Sequence, residues 1–371
     1  MSEAKKHLSR IFTLDLMRGY FLIVMLLDHL FYYPSGLDIL TGRGSLFVSS
    51  AEGFFLVSGI VLGIVRGRKL IDKPIRIATK LLLQRSLQLY VAYVILTVLF
   101  TLIAWMFVSS QWVKPTPAPL GTPLLELIWQ TLTFHYLYGW TDYLRLYIIF
   151  LVASPLAIWL LRRGWWYIVL AASWIVWWLY PHFSHDYWGS PISWQLVFFS
   201  GMVIGFHWPE LAAHWQKIPK AIAHRIGLIT LTAALLTMAA SMYIVFSAQP
   251  PSAPTAITQL HESLLPYFNK DRLPLARLAL GALWFWGLFW VIRRYEPWIM
   301  KKIGPFLIPL GTNSLYVYII QGFIVYGAHL LWPPSYVASA AWYQHLLLSL
   351  AAIFLVWIAV KREFLFKIIP R

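Results

Sequence analysis

The sequence predicts an all-α, polytopic membrane protein of about ten transmembrane helices. Both termini are expected on the cytoplasmic side, with one re-entrant or interfacial segment on the outer side. Three observations lead there. Residues of the AVILMFWYC set make up 60% of the 371 positions and charged residues only 12%, where a globular domain carries about 25% charge. Mean hydropathy is +0.66. Apolar runs of about 17 to 25 residues, the length that crosses a ~30 Å bilayer core as a helix, recur along the whole chain. Finally, the basic residues alternate between loops in a way that fixes one orientation.

The apolar runs cover approximately residues 12–33, 45–65, 83–108, 143–161, 165–181, 192–208, 226–247, 274–292, 306–331 and 341–360. The first follows basic residues, as a signal peptide does, but it contains Asp15, Arg18, Asp28 and His29 and no small-residue cleavage site follows. It is expected to be a retained helix. A further stretch, Leu124–Trp140, is short and carries Glu126, Gln130 and His135. If that stretch does not cross, 24 of the 30 Lys and Arg residues fall on one side, leaving Arg43, Lys114, Arg145, Lys270, Arg272 and Arg277 on the other. The positive-inside rule makes the first side cytoplasmic and Leu124–Trp140 the re-entrant or interfacial segment.

The net charge of +16 therefore marks orientation, and no nucleic-acid partner is expected. The chain has no cysteine, which excludes disulfides, thiolate nucleophiles and thiolate metal sites. The longest linkers, Ser109–Pro123 and Ala248–Arg272, are too short to fold as soluble domains, so residues 1–371 are expected to form a single transmembrane domain. No tandem repeat, Gly-rich phosphate loop, HExxH or GxSxG is present. His182, His185 and Asp186 have ligand-like spacing but no clear third partner, and no metal site is expected.

Ionisable residues within the spans carry the functional signal, because each costs ~2.5–3.5 kcal/mol near the bilayer centre unless it meets a cavity or a partner. Asp15 and Arg18 are three apart, and two readings stand: a structural ion pair, or a functional arginine. His29 follows Arg18 by eleven residues, which places the two only ~20° apart around a helix and ~16 Å apart along it. Glu52, near the start of the second run, comes out at the depth of His29 when each is counted from the cytoplasmic end of its helix. A carboxylate beside an imidazole is a base with its orienting partner, or else both face interfacial water. Pairs of glycines four apart, Gly59 with Gly63 and Gly201 with Gly205, predict close helix packing. Arg85 starts the third helix, where it contacts a phosphate or snorkels to headgroups.

Arg18 and His29 form an Arg-x10-His element, with Phe54-Phe55-Leu56-Val57-Ser58-Gly59 on the next helix. That pairing resembles the acyltransferase-3 superfamily of membrane O-acyltransferases. Further pieces occur in order: Leu14-Asp15 with Arg18-Gly19, Asp28-His29, Ala51-Glu52-Gly53, Tyr143 to Tyr147, Ser193 to Phe198, Asn269-Lys270 with Arg277, and Gly311 to Tyr316. Together they resemble the OpgC family of succinyltransferases acting on osmoregulated periplasmic glucans. The resemblance implies a bacterial inner-membrane enzyme of ten helices with no permanently bound cofactor. It would move an acyl group, succinyl or acetyl, from cytoplasmic acyl-CoA to a hydroxyl of an extracytoplasmic glycan.

The resemblance also makes His29 and Arg18 essential. On that premise His29 is the expected general base, with Glu52 orienting it, and both direct transfer and a covalent acyl-histidine intermediate stay open. Arg18, Arg66, Arg68, Lys69 and Arg85 are expected to meet the donor's phosphates. Asp28, Arg145, Gln195, Lys270, Arg277 and Asn313 are the expected substrate-binding residues, with Asn313, Ser58 and Gln195 as oxyanion donors. The rival reading is a transporter or flippase for a glycan or a lipid-linked precursor. Against it, the sequence shows no corresponding broken helices in its two halves.

Overall fold

The computed structural model describes residues 10–107, 118–180, 189–250, 252–333, 339–367 and 369. Among these there are helices and no strand. The principal helices are α1 (Phe12–Leu30), α2 (Ser50–Arg68), α3 (Ile75–Met106), α4 (Leu124–Leu132), α5 (Asp142–Arg162), α6 (Trp166–Trp178) and α7 (Gly189–Phe206). They continue with α8 (Trp208–Lys217), α9 (Lys220–Ala248), α10 (Thr255–Leu264), α11 (Leu275–Arg294), α12 (Gly304–Thr312), α13 (Ser314–Leu331) and α14 (Trp342–Lys361).

Seven of the described helices, α2, α3, α5, α9, α11, α13 and α14, are long and apolar enough to cross a membrane alone, and α7 with α8 makes an eighth if that pair, bent by 68°, counts as one. The two remaining expected spans are α1, with Asp15, Arg18 and Asp28 in 19 residues, and α6, with 13 residues. α4 has nine residues, about 14 Å of helix at the standard rise, and cannot cross a ~30 Å core. Tyr90 and Tyr93 of α3 hold this segment down by donating to the carbonyls of Leu132 and Tyr136, each at 2.7 Å.

The glycine pairs do what their spacing predicts. A methyl group on Gly59 or Gly63 would overlap the carbonyls of Phe198 or Met202, and one on Gly201 or Gly205 would overlap those of Leu56 or Ile60. α2 and α7 thus pack backbone to backbone, which only glycine permits. A second contact of the same kind sets Gly19 of α1 against the Leu307 carbonyl, and Gly311 of α12 against the Asp15 carbonyl.

Two local departures from straight helices matter for the site. The last turn of α2, Gly63–Arg68, is π-helical, with Lys69 N donating to the Ile64 carbonyl at 2.9 Å. The expected span 306–331 is broken at Asn313 into α12 and α13. Pro309 lacks an N–H, and Asn313 Nδ2 donates to the Pro309 carbonyl at 2.9 Å, closing the end of α12 with a side chain.

Candidate active site

α1 carries both ends of the candidate site. Near its start, Arg18 donates through Nη2 to Ser314 Oγ, the first residue of α13 after the break. The Arg18 Nε is buried and has no hydrogen-bond partner among the described residues. Asp15 does not take Arg18 as its ion pair; it accepts from Arg10 Nε at 2.6 Å. Arg18 instead faces a cavity of about 410 Å³ lined also by Ser58, Arg66, Arg85 and Tyr147. The π-helical turn delivers Arg66, and the third helix delivers Arg85. Three guanidinium groups therefore line one cavity, a set suited to an anion with several oxygens.

Two of the expected phosphate contacts do not belong to it. Arg68 turns the other way, pairs with Glu210 and lies over the Phe206 ring at 5.8 Å. Lys69 is exposed and does not line the cavity. Adjacent residues on a helix point about 100° apart, so a basic cluster that is continuous in sequence divides between faces.

His29 lies at the other end of α1. It lines a small cavity of about 10 Å³, room for about one water molecule, with Thr141, Tyr318 and Gln321 and the apolar side chains of Leu96, Phe100 and Val325. α13 runs parallel to α1. Ser314 meets Arg18, His329 Nε2 lies 3.1 Å from the Leu30 carbonyl, and Tyr32 donates to the Trp332 carbonyl at 2.7 Å. α3 is parallel as well, since Leu81 to Gln88 flank the arginine cavity and Leu96 and Phe100 flank the histidine cavity. The two cavities are therefore stacked along α1, separated by about 16 Å at the standard helical rise. Tyr318 and Gln321 are additions that sequence reasoning missed, because both sit inside an apolar run with no motif.

Glu52 does not meet His29. Its Oε2 accepts from Ser49 N at 3.1 Å and Ser49 Oγ at 2.5 Å, forming a capping box at the start of α2. Its Oε1 takes the guanidinium of Arg277, which also donates to the Phe268 carbonyl at 2.7 Å. Both partners are buried. The depth count failed because the helix ends used as references are not level. Gly53 packs on the Phe21 ring, two turns below His29, while Gly44, ahead of α2, packs on Asp28. Arg277, expected to bind substrate, is likewise spent on Glu52.

The other expected substrate contacts divide in the same way. Asp28 accepts from the Tyr33 hydroxyl at 3.0 Å. Arg145 is buried and pairs with Asp142 at 3.1 Å, with its Nε left without a hydrogen-bond partner among the described residues. Gln195 Nε2 donates to the carbonyls of Ser173 at 2.7 Å and Ile192 at 3.2 Å, joining α7 to α6. Lys270 is exposed. The expected oxyanion donors do not converge on His29: Ser58 lines the arginine cavity, Asn313 caps α12 and Gln195 is committed to α6. The residues His182, His185 and Asp186 lie outside the described residues, and among those described no group of three or more His, Asp and Glu side chains is placed to hold a metal.

Chemically, the arrangement places a tri-arginine anion cavity at one depth of α1 and an imidazole at another. The family model described as OpgC protein matches residues 10–367. No curated protein and no solved structure matches the chain.

Proposed function

The chain belongs to the OpgC protein family, and from that premise we propose that it is a membrane O-acyltransferase of the acyltransferase-3 type. Membership implies a glucan-modifying transferase in general. The finer reading takes an acyl group, succinyl or acetyl, from acyl-CoA on the cytoplasmic side of a bacterial inner membrane. It delivers that group to a glycan hydroxyl on the other side, with both termini of the chain cytoplasmic.

The observation that carries this reading is the pair of cavities stacked along α1. A CoA thioester is polyanionic at one end and reactive at the other, and its phosphates cannot enter an apolar bundle without cations. Arg18, Arg66 and Arg85 supply those cations around about 410 Å³. The pantetheine arm then points along α1 towards His29, and the ~16 Å between the two levels is of the order of that arm's reach. His29 takes the proton of the acceptor hydroxyl as general base, a role worth ~10²–10⁴ in rate. With Arg277 held by Glu52 and Arg145 by Asp142, the exposed Lys270 is the residue assigned to the free carboxylate of a succinyl group. Glu52 supports the site through the start of α2 and not through the imidazole.

Purified protein reconstituted with labelled acyl-CoA and a glucan acceptor tests the proposal. Acceptor-dependent release of CoA is expected, and mass spectrometry of the glucan identifies the acyl group. The transporter reading gains one observation, the helix broken at Asn313, since transporters bind substrates at such breaks. It predicts movement of glucan across the vesicle membrane with acyl-CoA left intact.

A further inference from the structure

Gln321 sits on α13, seven residues beyond Ser314, where no polar residue is needed to form or pack the helix. In the register that joins α13 to α1 it lies ~10 Å from Ser314 and about 6 Å short of Val325. Set by Ser314 against Arg18 and by His329 against Leu30, that level is one to two turns below His29, on the side facing Arg18. The side chain is 1% exposed and lines the same cavity as His29. Both of its amide atoms, Oε1 and Nε2, are buried without a hydrogen-bond partner among the described residues. Leaving one buried donor or acceptor unsatisfied costs about 1–3 kcal/mol, so an apolar residue of this size would make a more stable helix. The amide lines one chamber with the imidazole, walled also by Leu96, Phe100, Ile319 and Val325, with Thr141 and Tyr318 as the other polar residues. What it offers is a donor and an acceptor to whatever enters beside His29.

We propose that Gln321 is a further catalytic residue, donating from Nε2 to the carbonyl oxygen of the acyl group during transfer. This rests on the acyl-transfer reading above. In the first half of the step the acceptor oxygen bonds to the acyl carbon while its proton passes to the His29 ring. The carbonyl π electrons move onto oxygen, where Gln321 meets the charge. In the second half the C–O double bond re-forms, the C–S bond breaks, and the departing CoA sulfur takes the proton from His29. A donor aimed at developing charge in a water-poor chamber is worth ~10²–10³ in kcat. The position fits the direction of arrival, since a thioester coming from the arginine cavity passes Gln321 before it reaches His29.

Gln321→Leu and Gln321→Met remove the donor at nearly constant volume. Acceptor-dependent CoA release, with melting temperature followed in detergent, is measured for both beside the parent protein. The expected result is a kcat lower by ~10²–10³, an unchanged KM for acyl-CoA, and a melting temperature equal to or above the parent's. A kcat close to the parent's in either folded variant overturns the proposal, and so does a loss confined to KM or one that follows the melting temperature. A parent protein that releases no CoA overturns the acyl-transfer reading instead, so the two failures are told apart.

Discussion

Two regions of the bundle differ in how they meet their surroundings. In α2 and α13, 61% of the spanning window is buried by other helices, against 17% in α9 and α11. Mean hydropathy runs the opposite way: 1.4 for α2 and α13, but 2.0 and 1.7 for α9 and α11. In water the more apolar helix is the buried one. In a bilayer, lipid receives apolar side chains without cost, so the helices set apart by their polar residues are those that protein must cover. α1, α2, α3 and α13 carry Arg18, Ser58, Arg66, Arg85, His29 and Gln321 around the two cavities. α9 and α11 pack mainly on each other, with Trp284 Nε1 donating to Thr237 Oγ1 at 2.9 Å. Their polar links to the core lie at one end, in the Arg277 pair with Glu52 and the Ser241 hydroxyl that accepts from Phe47 N at 3.2 Å, while Phe285, Phe289 and Ile292 of α11 pack on it through apolar contact.

The largest expected effect lies at that junction. Glu52→Ala leaves the Arg277 guanidinium buried and uncompensated, a loss of about 3–5 kcal/mol, read as a fall in melting temperature and in the yield of inserted protein. Glu52→Gln combined with Arg277→Met removes both charges and is expected to recover folding and most activity. An inactive but fully folded double variant would return Glu52 to a direct role beside His29. Next in size is the arginine cavity. Arg18→Ala is expected to raise the KM for acyl-CoA about ten- to hundredfold, the worth of a charged hydrogen bond of ~1.5–3 kcal/mol. Arg68→Ala, which loses its pair with Glu210 and its contact with the Phe206 ring, is expected to leave that KM unchanged. Equal effects from the two would erase the distinction between the lining arginines and their neighbours.

Smaller still are the glycine contacts. Gly205→Ala forces α2 and α7 apart at backbone level and is expected to cost ~1–3 kcal/mol of stability. Gly227→Ala in α9 meets only the Trp290 indole, a side chain at the lipid-facing pair that can swing aside, and is expected to cost less. Thermal unfolding of the two variants side by side measures how much tighter the core is than its flank.

Much of this was legible in the sequence because membrane physics is one-dimensional along the bilayer normal. Apolar runs, basic loops and glycine spacing fix where helices lie and which pairs approach closely, and the eleven-residue interval placed Arg18 and His29 on one stripe of α1. What a sequence does not carry is the level of one helix against the next or the angle at which a neighbour stands. Glu52 illustrates the loss: counted from helix ends it matched His29 in depth, yet its helix starts two turns lower and its carboxylate closes a capping box. The Ser49-x-x-Glu52 pattern was a readable signal for that fate. The division of Arg66 from Arg68 follows from the same missing angle. Gln321 escaped notice for another reason, since a single amide in an apolar run has no spacing to betray it and becomes informative only when its cavity is seen.

The account stands on His29 acting at the far end of a path that begins at the arginine cavity. Its most direct test is acceptor-dependent CoA release by reconstituted His29→Ala protein beside the parent, with acyl-CoA binding measured on the same samples. The account predicts unchanged binding and transfer slower by ~10²–10⁴. Full acylation of the glucan by the His29→Ala protein would contradict it.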